Sequence, residues 1–254
     1  MKTNIRYILL TALRDWLFVG LLLGVVACAM ISSAMGDMAM VEPEQLKLTY
    51  AAASVRIVLV VGLIVFVCFH IRNGFDTKEI DVFLSRPISR PNLVLSYWLG
   101  FSVVAMLLVV PTIIVVYYVG ALDAKGFMMW ASSFALEMLL VVAAALFSAF
   151  TLKSAVSSVM ASLGFYVLSR MMGFFIATSN SSLLFRSTDL NEFSKFLMEH
   201  LAIFVPRLDF FGKTEWLVYG MNDMADMQRF MLQAAIFVPL LLAATVIDFR
   251  RKQF

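Results

Sequence analysis

Six apolar runs, each close to the length of a membrane-crossing helix, constrain this 254-residue chain more than any other feature. A helix rises about 1.5 Å per residue, so it needs about 20 apolar residues to cross the ~30 Å hydrocarbon core of a bilayer. One soluble core could not bury so much apolar surface, because 62% of the residues are hydrophobic and only 15% are charged. The sequence therefore predicts an all-α, polytopic membrane protein with a single transmembrane domain and six spans. The predicted spans are about 16–36, 54–71, 97–121, 127–150, 155–178 and 230–248.

The positions of Lys and Arg predict how these spans are oriented, because basic residues concentrate in the short cytoplasmic loops of membrane proteins. With a cytoplasmic N-terminus, eleven of the 20 basic residues fall inside: Lys2, Arg6, Arg14, Arg72, Lys78, Arg86, Arg90, Lys153, Arg250, Arg251 and Lys252. The two short outside loops contain only Lys47, Arg56 and Lys125. We therefore predict that the N-terminus and the C-terminus are both cytoplasmic. The net charge of +3 gives no argument for a nucleic-acid partner.

Four hydrophilic or amphipathic segments lie between and before the spans. Residues 2–14 alternate charged and apolar residues at helical spacing, which indicates a helix at the membrane surface. Residues 37–53 form a short outside loop, and residues 72–96 form the main cytoplasmic loop. The outside segment 179–229 has apolar residues at helical spacing between 193 and 204, which predicts one or two short helices before the last span.

The cytoplasmic loop contains the most informative pattern. A short amphipathic helix from about 75 to 84 would place apolar residues beside Asp76, Lys78, Glu79 and Asp81. Such a helix can lie in a groove on a partner protein. An ordinary elbow between two spans is the alternative.

The loop ends in a distinctive run. It reads Leu84-Ser85-Arg86-Pro87-Ile88-Ser89-Arg90, and Leu95, Leu99 and Gly100 follow at the start of the next span. With this run the chain resembles the permeases of type-2 ABC transporters, closest to the branch that serves maturation of nitrous-oxide reductase and multicopper enzymes. Pro206-Arg207-Leu208-Asp209 is similar to a Pro-Asn-Leu-Glu/Asp stretch before that family's last span. Gly74 and Arg207 depart from the family pattern, which has Glu and Asn at these positions.

The resemblance implies a membrane-spanning permease subunit of an ATP-driven exporter in a bacterial cytoplasmic (inner) membrane. It implies two copies of the permease and separate ABC ATPase subunits that bind ATP and Mg. The loop would then be the coupling helix that docks on the ATPase, through Phe75, Asp76, Lys78, Glu79, Asp81, Phe83, Arg86, Pro87, Ser89 and Arg90. The chain itself would not be an enzyme and would hold no cofactor or metal. Gly212-Lys213-Thr214 matches only the end of a phosphate-binding loop, whose first glycine is replaced by Arg207.

Two charges fall deep inside predicted spans, Glu137 in the fourth and Arg170 in the fifth. Charges inside a membrane are costly, so they are usually paired or functional. Both lie at a similar depth in antiparallel neighbours, which predicts an ion pair within one protomer. Swapping both charges should then restore the folding that either single swap loses. The alternative is that Arg170 faces a central pathway and contacts an anionic substrate.

Small residues recur every four positions in the first and fifth spans. Such faces allow close helix approach, either within one subunit or across a dimer seam. The family's homodimers use these two spans near the two-fold axis. The resemblance therefore implies dimer packing at Gly20, Gly24, Ser158 and Ser162.

Two other classes of function compete with transport. An intramembrane enzyme would need a nucleophile with its base, or metal ligands, at membrane depth. His70 at the cytoplasmic edge and His200 outside do not suit that role. A membrane assembly or scaffold protein, which recruits partners without transport, remains the alternative, with 179–229 as a possible site for an outside partner. No residue pattern predicts the transported substrate.

Overall fold

The computed structural model describes residues 2–78, 89–120, 123–180, 205–220 and 224–251. Every regular element in these ranges is helical. The elements are α1 (Lys2–Arg14), α2 (Trp16–Asp37), α3 (Pro43–Asp76), α4 (Arg90–Gly120), α5 (Ala124–Thr151), α6 (Ala155–Asn180), a 3₁₀ turn (Leu208–Phe210), α7 (Glu215–Tyr219) and α8 (Met224–Arg251). Six helices, α2 to α6 and α8, are long and apolar enough to cross a membrane. The prediction of an all-helical, multi-pass membrane protein with six such helices is confirmed.

Helix α3 is much longer than the span predicted for it. It contains 34 residues and begins at Pro43, where the fixed φ of proline suits the first helical position. At about 1.5 Å per residue it extends for about 51 Å, well beyond the thickness of a hydrocarbon core. The connection from α2 is therefore shorter than predicted, because residues 43–53 belong to α3. Lys47 spans this turn and pairs with Asp37, with Nζ 2.8 Å from Oδ1.

Helix α5 is the centre of the bundle. It packs against α3, α4, α6 and α8, and 72% of its most apolar stretch is buried. The corresponding stretches of α2 and α6 are only 17% buried, so these two helices lie at the periphery. Small side chains at Ala143, Ala144 and Ala145 let the neighbouring helices approach α5 closely.

The connections define two ends of the bundle, which we call the near end and the far end. The near end contains α1, the start of α2, the last turns of α3 and α8, and the first turn of α4. Helix α1 packs on α4 there through the fully buried Ile8 and Ala12. Gly100 makes this contact possible, since a Cβ at that position would lie 2.7 Å from Cδ1 of Ile8.

The far end contains the turn between α2 and α3, the start of α5 and residues 205–220, which we call the far-end segment. Its 3₁₀ turn and short α7 agree with the prediction of short helices before the last span. The predicted apolar helix between 193 and 204 lies outside the described residues.

Candidate functional site

A cluster of charged side chains lies inside the bundle, about halfway along α5. Glu137 on α5 is fully buried, and it lies between Arg56 on α3 and Arg170 on α6. Oε2 of Glu137 is 3.4 Å from Nε of Arg56, and Oε1 is 3.7 Å from Nη1 of Arg170. Tyr166, one turn from Arg170, donates its hydroxyl to Oε1 of Glu137 at 2.9 Å. The carboxylate therefore joins three helices through two ion pairs and one hydrogen bond.

The two guanidinium groups outnumber the carboxylate, and backbone carbonyls from the far-end segment satisfy them. Nη1 of Arg170 donates to the carbonyl oxygens of Leu208, at 2.6 Å, and Phe211, at 2.8 Å. Nη2 of Arg56 donates to the carbonyl oxygen of Gly212. A buried charge is costly unless it is paired and hydrogen-bonded, and these carbonyls supply part of that stabilisation. Nε of Arg56 and Oε2 of Glu137 have no hydrogen-bond partner among the described residues and interact only as an ion pair. The cluster thus holds the far-end segment against α3 and α6.

Two glycines allow the far-end segment to lie this close to the bundle. Gly212 has φ of +52°, in the left-handed region, and a Cβ there would collide with the guanidinium of Arg56. Its N–H donates to Oγ of Ser133 on α5 at 2.9 Å. Gly173 on α6 leaves space for the side chain of Asp209, which would otherwise collide with a Cβ. The segment therefore depends on backbone contacts rather than on side-chain burial alone.

A second polar arrangement lies at the near end, around the base of the predicted coupling loop. Phe75, at the end of α3, packs edge-on against Phe150 of α5 and Phe249 of α8, with ring centroids 5.5 and 6.5 Å apart. Arg72 donates to the carbonyl oxygen of Leu152 at 3.2 Å, and its guanidinium lies over the Phe75 ring. The end of α3 is therefore attached to the near ends of α5 and α8.

The start of α4 is attached to α8 as well. Nη1 of Arg90 donates to the carbonyl oxygens of Phe249 and Arg250, at 2.9 and 3.0 Å. These are among the last carbonyls of α8, which have no partner within the helix. Arg90 also lies over the Phe249 ring, at 5.6 Å from the centroid. Both ends of the loop thus contact the last turn of α8, one through the Phe75 ring and the other through hydrogen bonds from Arg90.

The residues predicted to contact an ATPase fall into three groups. Asp76, Lys78 and Ser89 are exposed, and Asp76 retains 73% of its side-chain surface. Phe75 and Arg90 instead make contacts within the bundle. The rest lie outside the described residues: Glu79, Asp81, Phe83, Arg86 and Pro87.

The residues predicted to pack a dimer seam have different surroundings. Gly20 is exposed, with no atom within 4 Å of a built Cβ, whereas a Cβ at Gly24 would lie 3.2 Å from Cγ1 of Val58 on α3. Ser158 and Ser162 are buried, and their hydroxyls donate to carbonyl oxygens of the chain itself. Their environment favours the alternative of packing within one subunit, while Gly20 keeps an open face.

Sequence reasoning missed two members of the internal cluster. On the sequence alone, Arg56 is predicted to lie in an outside loop. This is wrong, because residue 56 belongs to α3 and only 6% of its side chain is exposed. The signal was available, since the predicted span 54–71 already contained this arginine. Tyr166 gave no signal, because a tyrosine in an apolar helix is common. Within the described ranges, no group of three or more His, Cys, Asp and Glu residues could hold a metal ion.

Comparison with models of known protein families gives no match for this chain, and no curated protein matches it significantly.

Proposed function

We propose that this chain is the membrane-spanning permease subunit of a type-2 ABC transporter, working as a dimer with separate ATPase subunits and exporting its substrate. The observation that carries the proposal is the attachment of both ends of the loop 72–96 to the near end of α8. Phe75 and Arg90 provide that attachment, and the Leu-Ser-Arg-Pro-Ile-Ser-Arg run lies between them in sequence.

The attachment suits a loop that transmits force. A partner that pushed on a freely hanging loop would move the loop alone. Here α3 contacts α8 through the Phe75 ring and α4 hydrogen-bonds to α8 through Arg90, while Arg72 joins α3 to the end of α5. A displacement of the loop would therefore move four helices together. ATP binding in the partner could then shift the equilibrium between a closed and an open arrangement of the helices, because packed helices move as rigid bodies.

The orientation belongs to the same proposal. We infer that the near end is cytoplasmic and that the membrane is the bacterial inner membrane. Removing Arg56 from the outside loops leaves Lys47 and Lys125 there, so the charge asymmetry becomes stronger. The exposed Asp76 and Lys78 would then face the ATPase.

The internal cluster bears on the substrate pathway. Arg170 could contact an anionic substrate only after giving up Glu137 and the carbonyls of Leu208 and Phe211. The cluster is better suited to holding the far-end segment closed than to binding an anion in this conformation.

Affinity purification in mild detergent with mass spectrometry tests the proposal. We expect an ATPase carrying the Gly-x4-Gly-Lys-Ser/Thr loop in near-equal amount to the wild-type chain. It should be lost when Asp76, Glu79 and Asp81 are replaced by Lys. The control replaces two exposed acidic residues on the far side by Lys, Glu42 and Glu215, since neither forms an ion pair with a described residue.

Each outcome has a defined meaning. Retention of the ATPase by the control, together with its loss in the loop variant, supports the coupling role. Loss in both variants contradicts a specific role for the loop. A monodisperse wild-type protein without any ATPase contradicts the permease proposal and favours the assembly or scaffold alternative.

A further inference from the structure

A cavity of about 510 Å³ lies at the near end, between the elbow that joins α1 to α2 and the last turns of α3. Its volume is in the ~300–1,000 Å³ range of small-molecule sites. A neighbouring cavity of about 460 Å³ shares Thr11 and Asp15 with it and extends to Arg14. The two cavities adjoin at these shared residues, and we call them together the elbow cleft.

The lining of the elbow cleft changes from apolar to polar along α3. The apolar part is lined by Leu17, Val65, Phe66 and Phe69, and the polar part by Thr11, Asp15, His70 and Asn73. From Phe66 to Asn73 the helix rises about 10 Å, in the direction of its polar end. Phe69 is 50% exposed, so the apolar part opens towards the bilayer. This gradient matches an amphiphile with its chain in the membrane and its head at the interface.

The polar part of the cleft contains one charge of each sign. Asp15 uses Oδ1 to accept the N–H of Leu17 at 2.9 Å, as the N-cap of α2. Neither Asp15 nor its neighbour Arg14 forms an ion pair with any residue that the structure describes. A carboxylate accepts strong hydrogen bonds from an ammonium, and a guanidinium fits a phosphate. The pair is therefore complementary to a head that contains both groups.

We propose that the elbow cleft binds one phospholipid with a primary-amine, zwitterionic head. Its ammonium contacts Asp15, its phosphate contacts Arg14, and an acyl chain lies along Phe66 and Phe69. A quaternary ammonium has no N–H to donate to Asp15, and a purely anionic head is repelled by that carboxylate. The inference depends on the chain being a membrane protein and not on the transporter proposal.

Native mass spectrometry of the purified full-length chain tests this inference. The detergent-solubilised protein is titrated with phosphatidylethanolamine, phosphatidylcholine and phosphatidylglycerol of identical acyl chains. We expect phosphatidylethanolamine to bind about tenfold more tightly than phosphatidylcholine, which corresponds to about 1.4 kcal/mol. Asp15→Asn should abolish this preference while α2 keeps its N-cap, since Asn caps a helix as well as Asp. Asp76→Asn, which removes a carboxylate at the same end outside the cleft, should leave lipid binding unchanged.

Several results would overturn the assignment. If the wild-type chain binds phosphatidylcholine as tightly as phosphatidylethanolamine, the primary amine has no role in recognition. A preference for phosphatidylglycerol shows that the cleft recognises a negatively charged head group. Retention of a non-lipid molecule from the cell, or an intact preference in Asp15→Asn, also contradicts the proposal.

Discussion

Replacing Glu137 by Gln removes the carboxylate between Arg56 and Arg170 while keeping the side chain's size. Arg56 would stay buried, and Arg170 would stay partly buried near it, with only carbonyls and Tyr166 as neighbours. Removing one partner of a buried ion pair costs about 3–5 kcal/mol, since the remaining charge has lost its compensation. For a chain of this size each kcal/mol lowers Tm by about 2–4 °C, so we expect a decrease of about 6–20 °C.

The assay is thermal unfolding of the detergent-purified protein, followed by intrinsic fluorescence at one fixed scan rate. A fixed rate matters because such proteins often unfold irreversibly, and the apparent Tm then depends on heating speed. Glu215→Gln is the matched control, because Glu215 is exposed at the far end. The double variant Glu137→Gln with Arg56→Gln should recover part of the loss, since it removes the buried cation that has lost its carboxylate and leaves only the partly exposed Arg170.

A Tm for Glu137→Gln within about 2 °C of the wild-type value would refute the reasoning, since an uncompensated buried charge has a larger effect. The double charge swap of Glu137 and Arg170, predicted from sequence to restore folding, should fail. An arginine at position 137 would face Arg56, and a glutamate at position 170 would face the carbonyls of Leu208 and Phe211.

Three further predictions concern the glycines and the loop base. Gly212→Ala should lower Tm and raise deuterium exchange in the far-end segment, because its positive φ costs about 1–2 kcal/mol in an L-residue and its Cβ has no space. Gly164→Ala, in open space within α6, is the control: it should neither lower Tm nor raise exchange, since alanine is the better helix former. If α2 forms a subunit seam, Gly20→Leu should weaken the dimer in light scattering without lowering Tm, whereas Gly24→Leu should lower Tm through its contact with α3. An unchanged dimer would show that Gly20 is not part of a subunit interface. Arg90→Gln should increase exchange in the last turn of α8, because it removes hydrogen bonds to two terminal carbonyls. Unchanged exchange there would contradict the attachment of the loop.

The six long helices could be predicted because apolar length is a local property of the sequence. Their ends could not, since a helix continues past the membrane wherever its residues permit. Pro43 starts α3 outside the apolar run, and Lys47 stabilises the turn through Asp37. Hydropathy contains no information about that extension.

The internal cluster was only half predictable. Glu137 and Arg170 stood out as charges in apolar surroundings. The hydrogen bonds from Arg170 to the Leu208 and Phe211 carbonyls join residues 38 and 41 positions apart. No periodicity records such contacts, because every residue carries a carbonyl. The roles of Phe75 and Arg90 within the bundle were missed for the same reason, since their partners on α8 are far away in sequence.

The acceptors in this cluster are main-chain atoms, and that has an evolutionary consequence. A substitution at Leu208 or Phe211 changes a side chain and leaves the carbonyl in place, so these positions can drift while the contact persists. Selection on the contact would act mainly on the two arginines and on the two glycines, Gly173 and Gly212, that leave space for it. Homologous chains should therefore have few conserved residues here. Their relationship would be easier to detect by structural superposition than by sequence alignment.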